Sequence, residues 1–147
     1  MTRDKRKRFE FLEHTADAYV AAYGADLAEA FENAALAMFD TMTATKNVRP
    51  KVEETVEVEG DDKQALLYNW LEKLLVRFEV NGQIYSRFKV LKIGKAEDGF
   101  RLEAVIYGEP FNPKRHIQKV GVKAITYHQM EIQESPQGVV LKFVLDI

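Results

Sequence analysis

The chain has 147 residues, of which 46% are hydrophobic and 30% are charged, and its formal net charge is −2. This length suits one domain that buries roughly two thirds of its unfolded surface. The small net charge provides no overall attraction for nucleic acid or an anionic membrane, and the absence of cysteine excludes disulfides, thiol catalysis and Cys-ligated zinc. No apolar run reaches the ~20 residues of a membrane span, and no apolar signal core follows the N-terminus. We therefore expect a cytoplasmic protein without a membrane partner.

The chain begins with the basic stretch 2-TRDKRKR-8. Such a stretch is typical of a flexible, solvated terminus. The alternative is an arm that contacts RNA phosphate or an acidic partner surface. We predict a flexible basic arm over residues 1–8 and a single domain over residues 9–147.

Two helices are predicted. The apolar residues Phe9, Phe11 and Leu12 lead into the polar sequence 13-EHTAD-17 and then an apolar-aromatic strand. Asp26 has the form of an N-cap with Glu29 three residues on, and apolar residues follow at helical spacing through Met42. The second helix begins after Gly60, where Asp61 can act as the N-cap and the Gln64 side chain can bond back to the cap. Asn81-Gly82 ends this helix.

Most of the remaining chain predicts strands. Residues 55–59 alternate with period two, and the segments 88–93 and 100–107 flank a hairpin loop, 94-GKAEDG-99. Residues 119–133 predict one long strand, and 135-SPQG-138 turns the chain into a last strand over 139–147. Helices grouped early among antiparallel strands indicate an α+β domain, in which two helices pack on a mostly antiparallel β-sheet.

Oxygen donors occur near both ends of the domain. Asp146 precedes the last residue, Ile147, so a side-chain carboxylate and an α-carboxylate are adjacent. If Asp17 packs beside them, three hard oxygen donors without a thiolate favour Ca²⁺, Mg²⁺ or Mn²⁺ over zinc. Spacing alone, however, favours a hydrogen-bonded turn at residues 14–17 over a metal site, because Thr15 and Asp17 suit turns that bond backbone amides.

The signals for catalysis are weak, and we predict no catalytic residue. The sequence contains no Gly-rich phosphate loop and no H-E-x-x-H motif, and its three histidines are scattered. Glu13 and Asp17 could form an acid–base pair, but nothing in the sequence marks either as perturbed. Lys123 is on a predicted strand face with Ile125 and Tyr127, where a lysine is usually solvated and less often lies near a carboxylate or a partner.

Several motifs occur in order along the chain. They are 9-FEFLEHTAD-17, 27-LAEAFENAALAMF-39, 67-LYNWLEKLL-75, 122-VKAITYH-128 and the closing Leu145-Asp146-Ile147. As a series they resemble the archease family over residues 9–147. The resemblance implies a non-enzymatic protein cofactor of the GTP-dependent RNA ligase that joins tRNA halves. Such a cofactor promotes guanylylation of the ligase's active-site histidine, allows multiple turnovers and contacts the tRNA only indirectly.

The resemblance also implies a metal site, carried over residue by residue. Its ligands would be Asp17, Asp146 and the carboxylate or carbonyl oxygen of Ile147, which would bind Ca²⁺ or else Mg²⁺ or Mn²⁺. Further residues implied in ligase activation or in support of the site are Lys123, Glu13 and His14.

Two other functions fit the same residues. A small metal-dependent hydrolase or phosphotransferase would use Asp17 and Asp146 as ligands and His14 or Glu13 as the base. A structural binding or chaperone module would use the carboxylates only to stabilise the fold. The first predicts turnover by the isolated protein, and the second predicts that loss of Asp17 lowers stability alone.

Overall fold

The computed structural model describes residues 7–13 and 17–147. In these residues two helices lie among eight strands, as predicted for an α+β domain. The elements in chain order are β1 (Phe9–Leu12), β2 (Ala18–Gly24), α1 (Leu27–Met42), a 3₁₀ turn (Thr45–Asn47), β3 (Val52–Gly60), α2 (Lys63–Asn81), β4 (Gln83–Ala96), β5 (Gly99–Pro110), β6 (Ala124–Ile125), β7 (Glu131–Ser135) and β8 (Gly138–Asp146).

The strands form two antiparallel sheets where the sequence predicted one. The larger sheet has the order β1-β2-β8-β6, and β7 pairs with β8 beside β6. The smaller sheet has the order β3-β5-β4. The second and the last strands of the domain, β2 and β8, are therefore hydrogen-bonded neighbours although they lie far apart in sequence.

Helix α1 begins with the predicted capping residues. Asp26 Oδ1 accepts a hydrogen bond from Glu29 N at 2.9 Å, and Glu29 Oε1 accepts one from Ala25 N at 2.6 Å. The helix is buried on nearly all sides, because it contacts β2 of the larger sheet, β4 of the smaller sheet and α2. Alanines at 30, 34, 35 and 37 are fully buried and let these neighbours approach closely.

The N-cap of helix α2 lies one residue later than predicted. Asp62, not Asp61, accepts from the backbone, with 2.7 Å between its Oδ1 and Ala65 N. The predicted C-terminal stop is confirmed: Gly82 has φ 66°, and its N–H donates to Phe78 O at 2.9 Å. Trp70 is fully buried and donates from Nε1 to Phe31 O at 2.9 Å, which joins α2 to α1.

The prediction of one strand over residues 119–133 is wrong. Lys119 N and Val120 N donate to Met42 O and Thr41 O, so this segment satisfies the last carbonyls of α1. Within 119–133, Ala124–Ile125 forms the short strand β6 and residues 131–133 begin β7, and a turn that contains Gln129 at φ 55° separates the two strands. The loop over 94–99 is also shorter than predicted, since residues 97–98 alone form the turn between β4 and β5.

The core lies between the helices and the inner faces of the two sheets. It combines Phe31 and Phe39 of α1, Trp70 of α2, Phe143 of β8 and Tyr85 of β4, all fully buried. Neither helix of the described residues is long and apolar enough to cross a membrane.

Candidate functional site

Asp17 and Asp146 lie at the same end of the β2–β8 ladder. The two strands pair antiparallel from Gly24↔Val139 to Ala18↔Leu145. Asp146 is the last residue of β8, and Asp17 directly precedes β2 in a bend. Because each aspartate adjoins the Ala18–Leu145 pair, both residues belong to one corner of the larger sheet, although most of the sequence separates them.

The Asp146 carboxylate lies on the outer face of the larger sheet. Leu145 is fully buried in the core and Ala18 packs against that core. Side chains alternate along a strand, so Asp146 points to the face opposite Leu145. Asp17 and Asp146 are both half-buried. Ile147 points back and packs against the core.

Strand β6 positions Lys123 on the other side of Asp146. Lys123 N donates to Asp146 O at 2.7 Å, and Ala124 pairs with Asp146 in the ladder. The Lys123 side chain is exposed whereas that of Ile125 is buried, so the two do not share an environment. The corner of the sheet with Asp17, Asp146 and Ile147, hereafter the acidic corner, therefore also carries Lys123, whose backbone N–H bonds to Asp146.

The predicted supporting residues are less defined. Glu13 follows β1 and is exposed. His14 lies outside the described residues, as do Thr15 and Ala16. In residues 7–13 and 17–147, no three His, Cys, Asp or Glu residues come close enough together to hold a metal ion. A cation held by Asp17 and Asp146 would need at least one further donor, such as an oxygen of Ile147.

Sequence reasoning missed the residues beside Asp17 and Asp146 on the same face. The ladder aligns Tyr19 with Val144, and Ala21 with Lys142. Ala21 and Val144 are 0% and 1% exposed, although they lie on the face opposite α1. Their neighbours therefore cover them, and the surface around the acidic corner is ordered and partly apolar. The alternating positions Tyr19, Ala21 and Tyr23 in β2 are the sequence feature from which this second apolar face could have been predicted.

A second polar cluster surrounds Glu109, which is 6% exposed. Its Oε2 accepts from Arg49 N at 2.8 Å and from His116 Nε2 at 2.9 Å, and Arg115 Nη2 forms an ion pair with it. His116 Nδ1 accepts from Asn112 N at 2.9 Å, so the ring proton is on Nε2. Burial raises the pKa of Glu109, but these donors outweigh burial and lower the pKa to about 2.

The Glu109 cluster is structural. His116 is 2% exposed, so neither member of the pair is open to a substrate. The cluster ties the segment after β5 to Arg49, which follows the 3₁₀ turn. No spacing in the sequence predicts it, because the contact from Arg49 to Glu109 forms only in the folded chain.

Comparison with known proteins gives a consistent result. The model of the Archease protein family (MTH1598/TM1083) matches residues 9–147. The archease of Pyrococcus abyssi is 48% identical over 132 residues, which cover 90% of this chain and 92% of that protein. The archease of Sulfurisphaera tokodaii is 44% identical over 141 residues, which cover 96% of this chain and 99% of that protein.

Solved structures agree with the fold. The solution structure of protein 1598 from Methanobacterium thermoautotrophicum superposes with a TM-score of 0.81 at 41% identity, covering 95% of this chain and 99% of that one. A crystal structure from Thermotoga maritima, described as an archease and possible chaperone, has a TM-score of 0.62 at 15% identity and covers 94% of this chain and 96% of that one. At that identity it supports the fold alone. By the family match and the identity to both relatives, the chain belongs to the archease family.

Proposed function

We propose that this chain is a non-catalytic activator of the GTP-dependent RNA ligase that joins tRNA halves. In this proposal it promotes guanylylation of the ligase's active-site histidine and so allows multiple turnovers. The observation that carries the proposal is the acidic corner, in a member of the archease family. Asp17 directly precedes β2 and Asp146 ends β8, the hydrogen-bonded partner of β2, and this supports the proposal.

We propose further that Asp17, Asp146 and an oxygen of Ile147 hold a divalent cation. Two carboxylates that face each other at a sheet end repel unless a cation or a donor lies between them. The donors are oxygens, and cysteine is absent from the chain, so Ca²⁺ fits best and Mg²⁺ or Mn²⁺ are the alternatives. When bound, the cation supplies positive charge that offsets the repulsion.

The protein groups around the corner have separate tasks in this mechanism. The β2–β8 ladder ends beside both aspartates, and the Lys123–Asp146 backbone bond ties β6 to the same point. The exposed Lys123 ammonium is then available to an anionic group of the ligase. Glu13 and His14, which adjoin Asp17 in sequence, would orient the site from the first loop.

Activation requires different affinities for two states of the ligase. A bound protein shifts a conformational equilibrium only as far as it prefers one state. We therefore propose that the acidic corner and Lys123 contact the ligase more favourably when its active site is competent for guanylylation. Electrostatic complementarity to a basic face of the ligase would speed the encounter.

A guanylylation assay tests this proposal. With purified ligase, GTP and this protein, we expect Asp17→Asn, Asp146→Asn and Lys123→Ala to lower the stimulated rate by at least about tenfold, the size of effect typical of residues that support a metal site. Asp98→Asn, an exposed carboxylate in the β4–β5 turn, and Lys114→Ala are the matched controls and should stimulate fully. Folded aspartate variants that stimulate as well as wild type would contradict the site.

The same preparation separates the two alternative functions. Turnover of phosphoester substrates by the isolated protein, lost in Asp17→Asn, would favour the hydrolase. A melting temperature lowered by Asp17→Asn, with full stimulation per folded molecule, would favour a structural role for the carboxylates. Stimulation of the ligase without intrinsic turnover supports the activator.

A further inference from the structure

A groove with a basic lining lies between the 3₁₀ turn and β4, apart from the acidic corner. Its volume is about 590 Å³, and four cationic side chains line it: Arg8, Lys46, Arg87 and Lys89. All four are exposed. Arg8 Nε donates to Asn33 Oδ1 at 3.0 Å, and Asn33 is 4% exposed, so a buried side chain holds one guanidinium at the groove.

The groove carries more cations than carboxylates, although Glu32 interacts electrostatically with Arg8. Within the described part of the chain, none of the four cations has a carboxylate oxygen within 4.0 Å. Glu32 is the one carboxylate in the described lining, and its Oε2 accepts from Val90 N at 2.8 Å. On the neighbouring strands of the same sheet, by contrast, Arg101 of β5 contacts both Glu57 and Glu59 of β3. What distinguishes the groove is that four cations line one concave surface.

The basic row continues along the outer face of β4, an edge strand of the smaller sheet. The ladder aligns Arg87 with Tyr107 and Lys92 with Glu103, so both cations lie on the face opposite the core. The Arg87 guanidinium lies 5.2 Å from the centre of the Tyr107 ring. A cationic groove next to an aromatic ring is the combination that proteins use to bind single-stranded nucleic acid.

The basic N-terminal sequence is continuous with Arg8 along the chain. Arg3, Lys5, Arg6 and Lys7 precede Arg8 in the sequence. The other edge of the same sheet, β3, carries the exposed acids Glu53, Glu57 and Glu59. The two edges of the smaller sheet therefore differ in charge, with exposed cations on β4 and exposed acids on β3.

We propose that this groove binds the phosphate backbone of single-stranded RNA, with Lys46, Arg87 and Lys89 as the main phosphate contacts. The inference rests on the proposed function, because the RNA would be the substrate strand held by the ligase. An acidic protein surface would also be attracted to the cations. RNA is favoured because its phosphates match unpaired cations in a groove and its bases can stack on a ring such as that of Tyr107.

RNA binding by the full-length protein tests the inference. The probe is a short fluorescein-labelled single-stranded RNA with a 3′-phosphate, and anisotropy is measured over a range of salt concentrations. The triple variant Lys46→Ala, Arg87→Ala, Lys89→Ala should bind about tenfold more weakly, and its slope of log K against log salt should be smaller by about 2, because three phosphate contacts are lost.

The control variant removes the same charge from other surfaces. Lys73→Ala, Lys95→Ala, Lys114→Ala takes three exposed lysines that do not line the groove, and it should bind RNA as wild type does. Equal losses in the two triple variants, or no RNA binding by wild type at low salt, would overturn the inference. The inference would also be overturned if the triple variant of the groove lost its binding to a polyglutamate peptide but kept its binding to RNA. Melting temperatures confirm that both variants are folded.

Guanylylation of the ligase without RNA separates this inference from the proposed function. The groove variant should stimulate that reaction fully, because the acidic corner is intact, and it should fail only in RNA binding. If wild type does not stimulate guanylylation but the groove variant still loses RNA affinity, the proposed function fails and the RNA-binding groove stands.

Discussion

Glu109 shows how single buried groups stabilise this fold. It is a carboxylate with 6% exposure that accepts from Arg49, Arg115 and His116. Removing one partner of such a buried pair leaves the other without compensation, which is costly. The cluster holds the segment after β5 against the segment after α1. The segment after β5 leads on to β6 and Lys123.

The depressed pKa of Glu109 predicts acid sensitivity. Its folded pKa is about 2 against an ordinary 4.5, so its stabilising contribution is complete above about pH 4.5 and is lost as the pH falls toward 2. The difference corresponds to roughly 3 kcal/mol. We expect Glu109→Gln to lower the free energy of unfolding by about 2–3 kcal/mol at pH 7, and by much less near pH 2. Urea unfolding across this range measures the difference.

Glu53→Gln serves as the control for this experiment. Glu53 is an exposed acid on β3, and surface substitutions usually change the free energy of unfolding by less than about 0.5 kcal/mol. A Glu109→Gln variant whose destabilisation is the same at every pH would show that lost packing, not the carboxylate charge, explains its effect.

At the scale of elements, the ends of helices decide local boundaries. Both helices begin at an aspartate whose Oδ1 accepts a backbone N–H three residues on. The last carbonyl groups of α1, in contrast, accept hydrogen bonds from outside the helix. Their donors are the N–H groups of Lys119 and Val120, in a distant segment. An alternating sequence that suits a strand is therefore used here to end a helix.

The two aspartates before α2 offer a matched comparison. Asp62→Ala removes the side chain that accepts from Ala65 N, and we expect it to lower the free energy of unfolding by about 1 kcal/mol. Asp61→Ala removes an equally charged, exposed neighbour that does not cap the helix, so its effect should be less than half as large. Chemical denaturation measures both, and equal losses would argue against Asp62 as the cap.

At the scale of the molecule, β2 and β8 join the two ends of the domain. Their ladder runs from Gly24↔Val139 to Ala18↔Leu145 and is followed by the two aspartates. A cation between Asp17 and Asp146 would therefore connect the first loop to the last strand. Binding of this kind stabilises only the folded chain, since the unfolded chain does not hold the two carboxylates together.

This connection predicts metal-dependent stability. Calcium at a hundredfold excess over its Kd should add about 2.7 kcal/mol to the free energy of unfolding and raise the melting temperature by several degrees. Thermal melts with calcium, magnesium or EDTA measure the shift. Asp17→Asn combined with Asp146→Asn should abolish it, whereas Asp98→Asn should keep it. A calcium shift that is the same in the double variant would place the ion elsewhere.

Much of the fold follows from local sequence. The spacing of apolar residues, the aspartate at 26 and the glycine at 82 predicted both helices, because capping and amphipathic burial depend on residues a few positions apart. The hairpin at 97–98 and the turn at 136–137 likewise followed from local turn chemistry, although the first is shorter than predicted.

For the candidate site, the sequence by itself determined which oxygen donors stand near its two ends: Asp17, Asp146 and Ile147. Only the tertiary structure decided that Asp17 and Asp146 adjoin the same end of the β2–β8 ladder, that the strands form two sheets, and that residues 119–120 end α1. The basic groove likewise forms only in the folded chain, since Arg8, Lys46 and Arg87 come from three separate segments. The physical reason is that pairing between distant segments depends on the packing of the whole core, which no local pattern contains.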